Sequence, residues 1–103
     1  MFETIAGALK RPTEKKAGEV KCVVTRTAGP ASYASGGFDA TVSELSEVIS
    51  AIVVAEKGYG AEIDWGNSSG NKLRIVAYSS ADTEVTAGTD LSGVYFTIIA
   101  LGW

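Results

Sequence analysis

The last ten residues constrain the fold most, because they form an apolar run without a charged side chain. Residues 94–103 read VYFTIIALGW, and the β-branched and aromatic residues that dominate this run are typical of strands. Such a segment is stable only where its backbone is hydrogen-bonded and its side chains are covered. We therefore expect a strand inside a sheet, with Trp103 packed against its own core or against a neighbouring subunit.

The rest of the chain predicts an all-β fold preceded by an arm. The 103 residues are 46% hydrophobic and include twelve glycines, which favours one turn-rich β domain. Short alternating runs separated by turn residues predict about six strands, packed as an antiparallel β-sandwich or flattened barrel. Residues 1–17 differ in composition, so we expect an N-terminal arm there and a β-sandwich body at residues 18–103.

The predicted arm is both amphipathic and basic. Apolar residues recur at spacings of three and four, which indicates a short helix before Pro12, too short to be stable alone. Through Arg26 the chain has six basic and three acidic residues, giving +3, and the remainder has three basic and nine acidic, giving −6. This asymmetry favours docking of the arm on an acidic protein surface, including the body of an adjacent copy. Nucleic acid fits less well, because no aromatic residues lie between the basic ones to stack on bases.

Two local assignments depend on a choice between patterns. Residues 41–56 fit either an amphipathic helix or a β-branched buried strand, and we favour a short turn at residues 43–47 followed by a strand at residues 48–56. Near the start of the body, Val20, Cys22 and Val24 share one strand face, and Lys21, Val23 and Thr25 share the other. This alternation predicts that Cys22 is buried as a small apolar side chain.

The titratable residues predict no catalytic site, no metal site and no cofactor. The chain has no His and one Cys, so the common nucleophile and base pairs cannot be assembled. Glu62 and Asp64 share a strand face, and acids that alternate in this way are typical of a solvated surface. The acidic cluster at Asp82, Glu84 and Asp90 does not have the spacing of a calcium-binding EF-hand loop. We therefore expect a protein that is not an enzyme.

Several apolar and basic residues are candidates for contacts with other molecules. Tyr33 stands alone in a loop of small residues, where an amphipathic ring can anchor a contact as readily as it can pack inside the chain. Phe38, Trp65 and Phe96 instead lie in strand alternations and are predicted to be core residues. The candidate interface residues are Phe2, Ile5, Leu9, Lys10, Arg11, Lys15, Lys16, Tyr33 and Trp103.

Two segments carry a resemblance to a known class of protein. Residues 29–38 read GPASYASGGF and residues 88–102 read GTDLSGVYFTIIALG. Both resemble segments of small β-rich virion proteins of tailed bacteriophages, and the resemblance extends over residues 18–103. It implies a decoration or cement protein that binds the major capsid protein on the outside of the capsid shell. It also implies a homo-oligomer, most often a trimer. The residues themselves predict no nucleic acid and no membrane as partner, because the body is acidic and the apolar runs are too short to span a membrane. Residues 2–9 do not resemble a secretory signal, so we expect synthesis in a host cytoplasm.

Two other functions remain open at this point. Small neck or tail components of phages carry similar turn and strand segments, so a location outside the head is an alternative. A β-sandwich module that binds carbohydrate or a cell surface is the second, with Tyr59, Tyr78 or Tyr95 as a stacking platform.

Overall fold

The computed structural model describes residues 20–103, which form seven strands. The predicted arm at residues 1–17 lies outside the described residues. The strands are β1 (Lys21–Ala28), β2 (Phe38–Thr41), β3 (Val48–Ala55), β4 (Gly60–Ser69), β5 (Lys72–Ser80), β6 (Thr83–Glu84) and β7 (Tyr95–Gly102).

The strands form two antiparallel sheets that do not close into a barrel. The first has the order β1-β7-β3, so the apolar strand β7 lies between two neighbours. The second has the order β2-β5-β4, and β6 pairs with the end of β5 that β2 does not reach. The all-β, antiparallel prediction is therefore confirmed, as is the placement of residues 95–102 inside a sheet.

One hydrophobic core joins the inner faces of the two sheets. In the three-stranded sheet β7 contributes alternate residues, and Phe96 is completely buried. The loop before β7 adds Val85 and Leu91 as buried anchors. The sequence predicts this, because each is an isolated apolar residue in the polar turn segment at residues 80–93. Phe38 and Trp65 pack against this core but are only partly buried. The remaining fully buried core residues of the strands include Leu73, Ile75, Ala77, Ile98 and Ala100.

The segment at residues 41–56 is a turn followed by a strand, as expected. The backbone N–H of Leu45 donates to the carbonyl of Val42 at 3.1 Å, which closes the turn. Strand β3 pairs with β7 in antiparallel orientation, and the register shifts between Val48 and Ser50. Leu45 is 2% exposed, so the turn is anchored in the core and the chain does not continue as a helix.

Two predictions about strands are wrong. Cys22 and Val24 point outward from β1, and Val23 packs against the core. Both faces of this strand carry apolar residues, so alternation alone does not identify the inner one. The turn residues GNSSGN at 66–71 predict a hairpin loop, but strand β4 runs to Ser69. The pairing of β4 with β5 shifts register between Asp64 and Ser69 and ends at the Ser69–Lys72 pair, next to a tight turn.

Candidate binding surface

The outer face of the β1-β7-β3 sheet is the main candidate for a binding surface. Cross-strand rows place Val24 beside Ile99 and Ile99 beside Ile52. We call this surface the apolar face; it consists of Cys22, Val24, Arg26, Ser50, Ile52, Val54, Tyr95, Thr97, Ile99 and Leu101.

Large apolar side chains on this face are open to solvent. Val24, Ile52 and Val54 are 65%, 59% and 56% exposed. Scattered exposed apolar residues are ordinary, but a contiguous group in adjacent rows indicates a contact surface. From strand spacing and rise, the sheet face covers roughly 400 Å², the size of the largest apolar patch on a typical monomer.

The two ends of the apolar face differ. At one end, a hollow of about 210 Å³ is lined by Ser50, Ala51, Ile52, Ile99 and Leu101. At the other end, the guanidinium of Arg26 lies 4.2 Å from the centre of the Tyr95 ring and 3.5 Å from a carboxylate oxygen of Glu56. The face therefore has an uncharged hollow at one end and a charged, polar cluster around Arg26 at the other.

The outer face of the β2-β5-β4 sheet is polar, and its side chains satisfy one another. Arg74 Nε donates to Asp39 Oδ1 at 2.8 Å, and Tyr78 donates its hydroxyl to Glu62. The alternation of residues 59–65 and 72–79 predicts Glu62 or Asp64 as the cross-strand partner of Arg74. In the sheet Arg74 lies between Asp39 on β2 and Asp64 on β4. Its hydrogen bond goes to Asp39, and this bond, followed by the charges of Asp39 and Asp64, raises the pKa of Arg74. The body thus presents one apolar and one polar broad surface.

Tyr33 is not a surface anchor. Its side chain is 1% exposed, and its ring packs edge-on against Phe38 with the ring centres 6.4 Å apart. The hydroxyl donates to Glu84 Oε2 at 2.8 Å and accepts from the backbone N–H of Ala77 at 3.1 Å. The interface prediction for Tyr33 is therefore wrong within the monomer. A buried Tyr with both partners present is a core residue.

Glu84 fastens the small-residue loop to the body. It accepts hydrogen bonds from the Gly36 backbone N–H and from the Tyr33 hydroxyl, both at 2.8 Å. These bonds, the Gly36 bond first, hold the pKa of Glu84 below its ordinary value. Burial raises the pKa of Tyr33 to about 12, so its hydroxyl stays a donor at neutral pH.

The lowered pKa of Glu84 predicts acid sensitivity. As the pH falls, Glu84 is protonated in the unfolded chain before it is protonated in the folded one. The stabilisation from the ionised Glu84 carboxylate is therefore present above its ordinary pKa of about 4.5 and is lost as the pH falls through its lower folded pKa. We expect the wild type to lose more stability than Glu84→Gln between pH 6 and pH 3, measured by urea unfolding. Asp82→Asn, at an exposed acid in the neighbouring turn, is the control and should behave as wild type. Equal losses in wild type and Glu84→Gln would contradict the role of this carboxylate.

The acidic residues considered for chemistry are used in local contacts. Asp90 accepts from the backbone N–H and the hydroxyl of Ser92, and Asp64 accepts from the Asn67 amide. Residues 20–103 contain no group of three or more His, Cys, Asp or Glu side chains placed to hold a metal ion. The same residues contain no helix of the length and hydropathy needed to cross a membrane.

The other candidate residues are placed as follows. The main-chain oxygen of Trp103 accepts from the N–H groups of Ser46 and Glu47 at 2.6 and 3.0 Å, and its side chain is half-buried. Tyr59 and Tyr78 line one shallow depression of about 410 Å³, whereas Tyr95 lies on the apolar face. The candidate residues outside the described part of the chain are Phe2, Ile5, Leu9, Lys10, Arg11, Lys15 and Lys16.

The sequence did not identify the apolar face. Its signal was present in β3, where Ile52 and Val54 occupy one face and Ala51 and Val53 the other. A strand that is apolar on both faces is either buried on both sides or exposes one of them, and the sequence favours neither. Comparison of the chain with protein-family models, with curated proteins and with solved structures finds no match.

Proposed function

We propose that this chain is a non-catalytic structural protein that binds a larger protein assembly through its apolar face. The observation that carries the proposal is the contrast between the two broad surfaces of the body. The β2-β5-β4 surface is polar and internally hydrogen-bonded, whereas the apolar face exposes Val24, Ile52 and Val54. A protein that lies on a shell needs an apolar surface that contacts the shell and a polar surface that faces water.

The specific form of the proposal is a decoration protein of a tailed-phage capsid, with the major capsid protein as partner. The resemblance of residues 29–38 and 88–102 to phage virion proteins supports this form. The apolar face alone supplies about half of the roughly 800 Å² that one partner contributes to a standard interface. Weak individual contacts are sufficient on a shell, because oligomeric subunits bind many equivalent sites at once. A neck or tail location satisfies the same physical requirement.

The test is co-sedimentation of the purified protein with shells that lack it, comparing wild type with Val54→Glu. Val54 is 56% exposed near the Arg26 end of the apolar face, so the variant would place an added carboxylate against the shell. We expect a loss of at least about 2 kcal/mol, or roughly 30-fold in affinity. Thr41→Glu is the matched control, because it adds the same charge at an exposed β-branched strand position on the polar surface.

The outcomes separate the candidate functions. Saturable binding that Val54→Glu weakens and Thr41→Glu does not would support the proposal. Equal binding by Val54→Glu and Thr41→Glu would show that the apolar face is not the surface that contacts the shell. Wild-type protein that stays in the supernatant would contradict the capsid role, and glycan binding by the same sample would favour the carbohydrate alternative at Tyr59 and Tyr78.

A further inference from the structure

We propose that the arm of each chain docks on its own body, with the apolar stripe of Phe2, Ile5 and Leu9 over the hollow at the Ser50 end of the apolar face. The proposal concerns the isolated subunit and does not depend on the capsid role. It assigns an occupant to a surface hollow that is apolar, open and adjacent to the point where the arm joins the body.

The hollow lies where the arm can reach it. Lys21 begins β1 and pairs with Gly102, which in turn pairs with Val48. Cys22, the next residue, pairs with Leu101, which lines the hollow. The stripe is separated from the described body by residues 10–19, which we call the tether, and a flexible chain of ten residues has a root-mean-square span of roughly 16–19 Å. The distance from β1 across β7 to β3 is only about 10 Å.

The stripe and the hollow also match in size and chemistry. As a helix, residues 2–9 would be roughly 12 Å long, slightly more than the distance of about 10 Å from β1 to β3. The hollow of about 210 Å³ exceeds the cavity of roughly 150 Å³ that accepts a benzene ring, so it has room for the Phe2 side chain. Ile5 and Leu9 would then cover Ile52 and Ile99 from the same side of the helix.

Charge at the joining end favours the same arrangement. Lys15 and Lys16 precede Lys21 by six and five residues, so they are within reach of the turn before β3, because Lys21 and Val48 both pair with Gly102. Glu44 and Glu47 lie there, immediately before Val48, and the side chain of Glu44 is exposed. Opposite charges across the contact would orient the tether toward β3 and not away from the sheet.

A second copy is a poorer occupant of the apolar face than the arm. Two faces of roughly 400 Å² would bury about 800 Å² in total, below the 1,200 Å² at which stable interfaces begin. A short tether instead holds the stripe at a millimolar effective concentration beside the hollow. The docked stripe leaves Val54, Thr97 and Tyr95 uncovered, so the Arg26 end of the apolar face stays available to the shell.

Cys22 is a natural reporter of this docking, because it is exposed and lies beside Leu101. The experiment measures the rate of alkylation of Cys22 by iodoacetamide in the full chain and in Ile5→Asp/Leu9→Asp. We expect about tenfold faster alkylation in the variant. Thr4→Asp/Ala8→Asp adds the same charge off the stripe and should react as wild type. These two arm variants change only residues outside the β-sandwich body, so they leave its core contacts unchanged.

Dilution and a variant of the hollow complete the test. Docking within one chain predicts the same wild-type rate when the protein is diluted a hundredfold. Ile52→Ser, at a position 59% exposed, should accelerate alkylation like the stripe variant, with no further increase when the two are combined. Equal rates in wild type and the stripe variant would overturn the proposal. Protection that disappears on dilution would also overturn it, because the occupant would then be the arm of another copy.

Discussion

Replacing Phe96 by Ala is expected to lower the free energy of unfolding by about 3–5 kcal/mol. Phe96 is completely buried in the central strand β7, and its ring contacts Phe38 edge-on with the ring centres 5.0 Å apart. The ring is closely packed, because a Cβ added at Gly29 would lie only 3.0 Å from it. For a domain with a typical stability of 5–15 kcal/mol, this loss is a large fraction of the total.

Urea unfolding followed by tryptophan fluorescence measures this loss. Thr97→Ala is the matched control, because Thr97 is the next residue of β7 and points outward on the apolar face. We expect the control to change stability by less than about 1 kcal/mol. A loss below about 1 kcal/mol for Phe96→Ala would contradict the view that the two sheets share one well-packed core.

Much of the fold was predictable because its signals are local. The uncharged run at residues 94–103 predicted a strand inside a sheet, and β7 is the middle strand of the three-stranded sheet. The β-branched run after residue 47 predicted β3 over a helix, since Ile and Val fit a pleated sheet better than a helical turn. Val85 and Leu91 were identified as anchors because each is an isolated apolar residue in a polar segment.

The candidate site was less predictable because it depends on contacts that are distant in sequence. The outward orientation of Val24 follows from the register between β1 and β7, not from any alternation within β1. Tyr33 is buried because Glu84, 51 residues away, and Ala77 supply partners for its hydroxyl. The two-residue strand β6 that carries Glu84 is too short to produce a periodic pattern. These features required the pairing of the strands to be known.

Replacing Gly102 by Ala is expected to destabilise the body by about 3 kcal/mol or more, the upper end of the range for overpacking. Gly102 lies where the chain from Glu47 to Val48 crosses the end of β7. A Cβ there would overlap the Glu47 carbonyl oxygen and lie 2.9 Å from its carbonyl carbon and 3.1 Å from Val48 Cα. These are backbone atoms, so no side-chain rotation relieves the contact.

The backbone around Gly102 cannot move without losing hydrogen bonds. Trp103 N–H donates to the Glu47 carbonyl at 3.1 Å, and the Trp103 main-chain oxygen accepts from Ser46 and Glu47. A shift large enough to admit a methyl group would break these bonds and separate the start of β3 from β7. Gly60→Ala is the control, because a Cβ there meets only Tyr78 Cβ at 3.7 Å. In thermal unfolding we expect Gly60→Ala to be neutral or slightly stabilising. Equal effects of the two substitutions would show that β7 and the Glu47 backbone are not held in close contact.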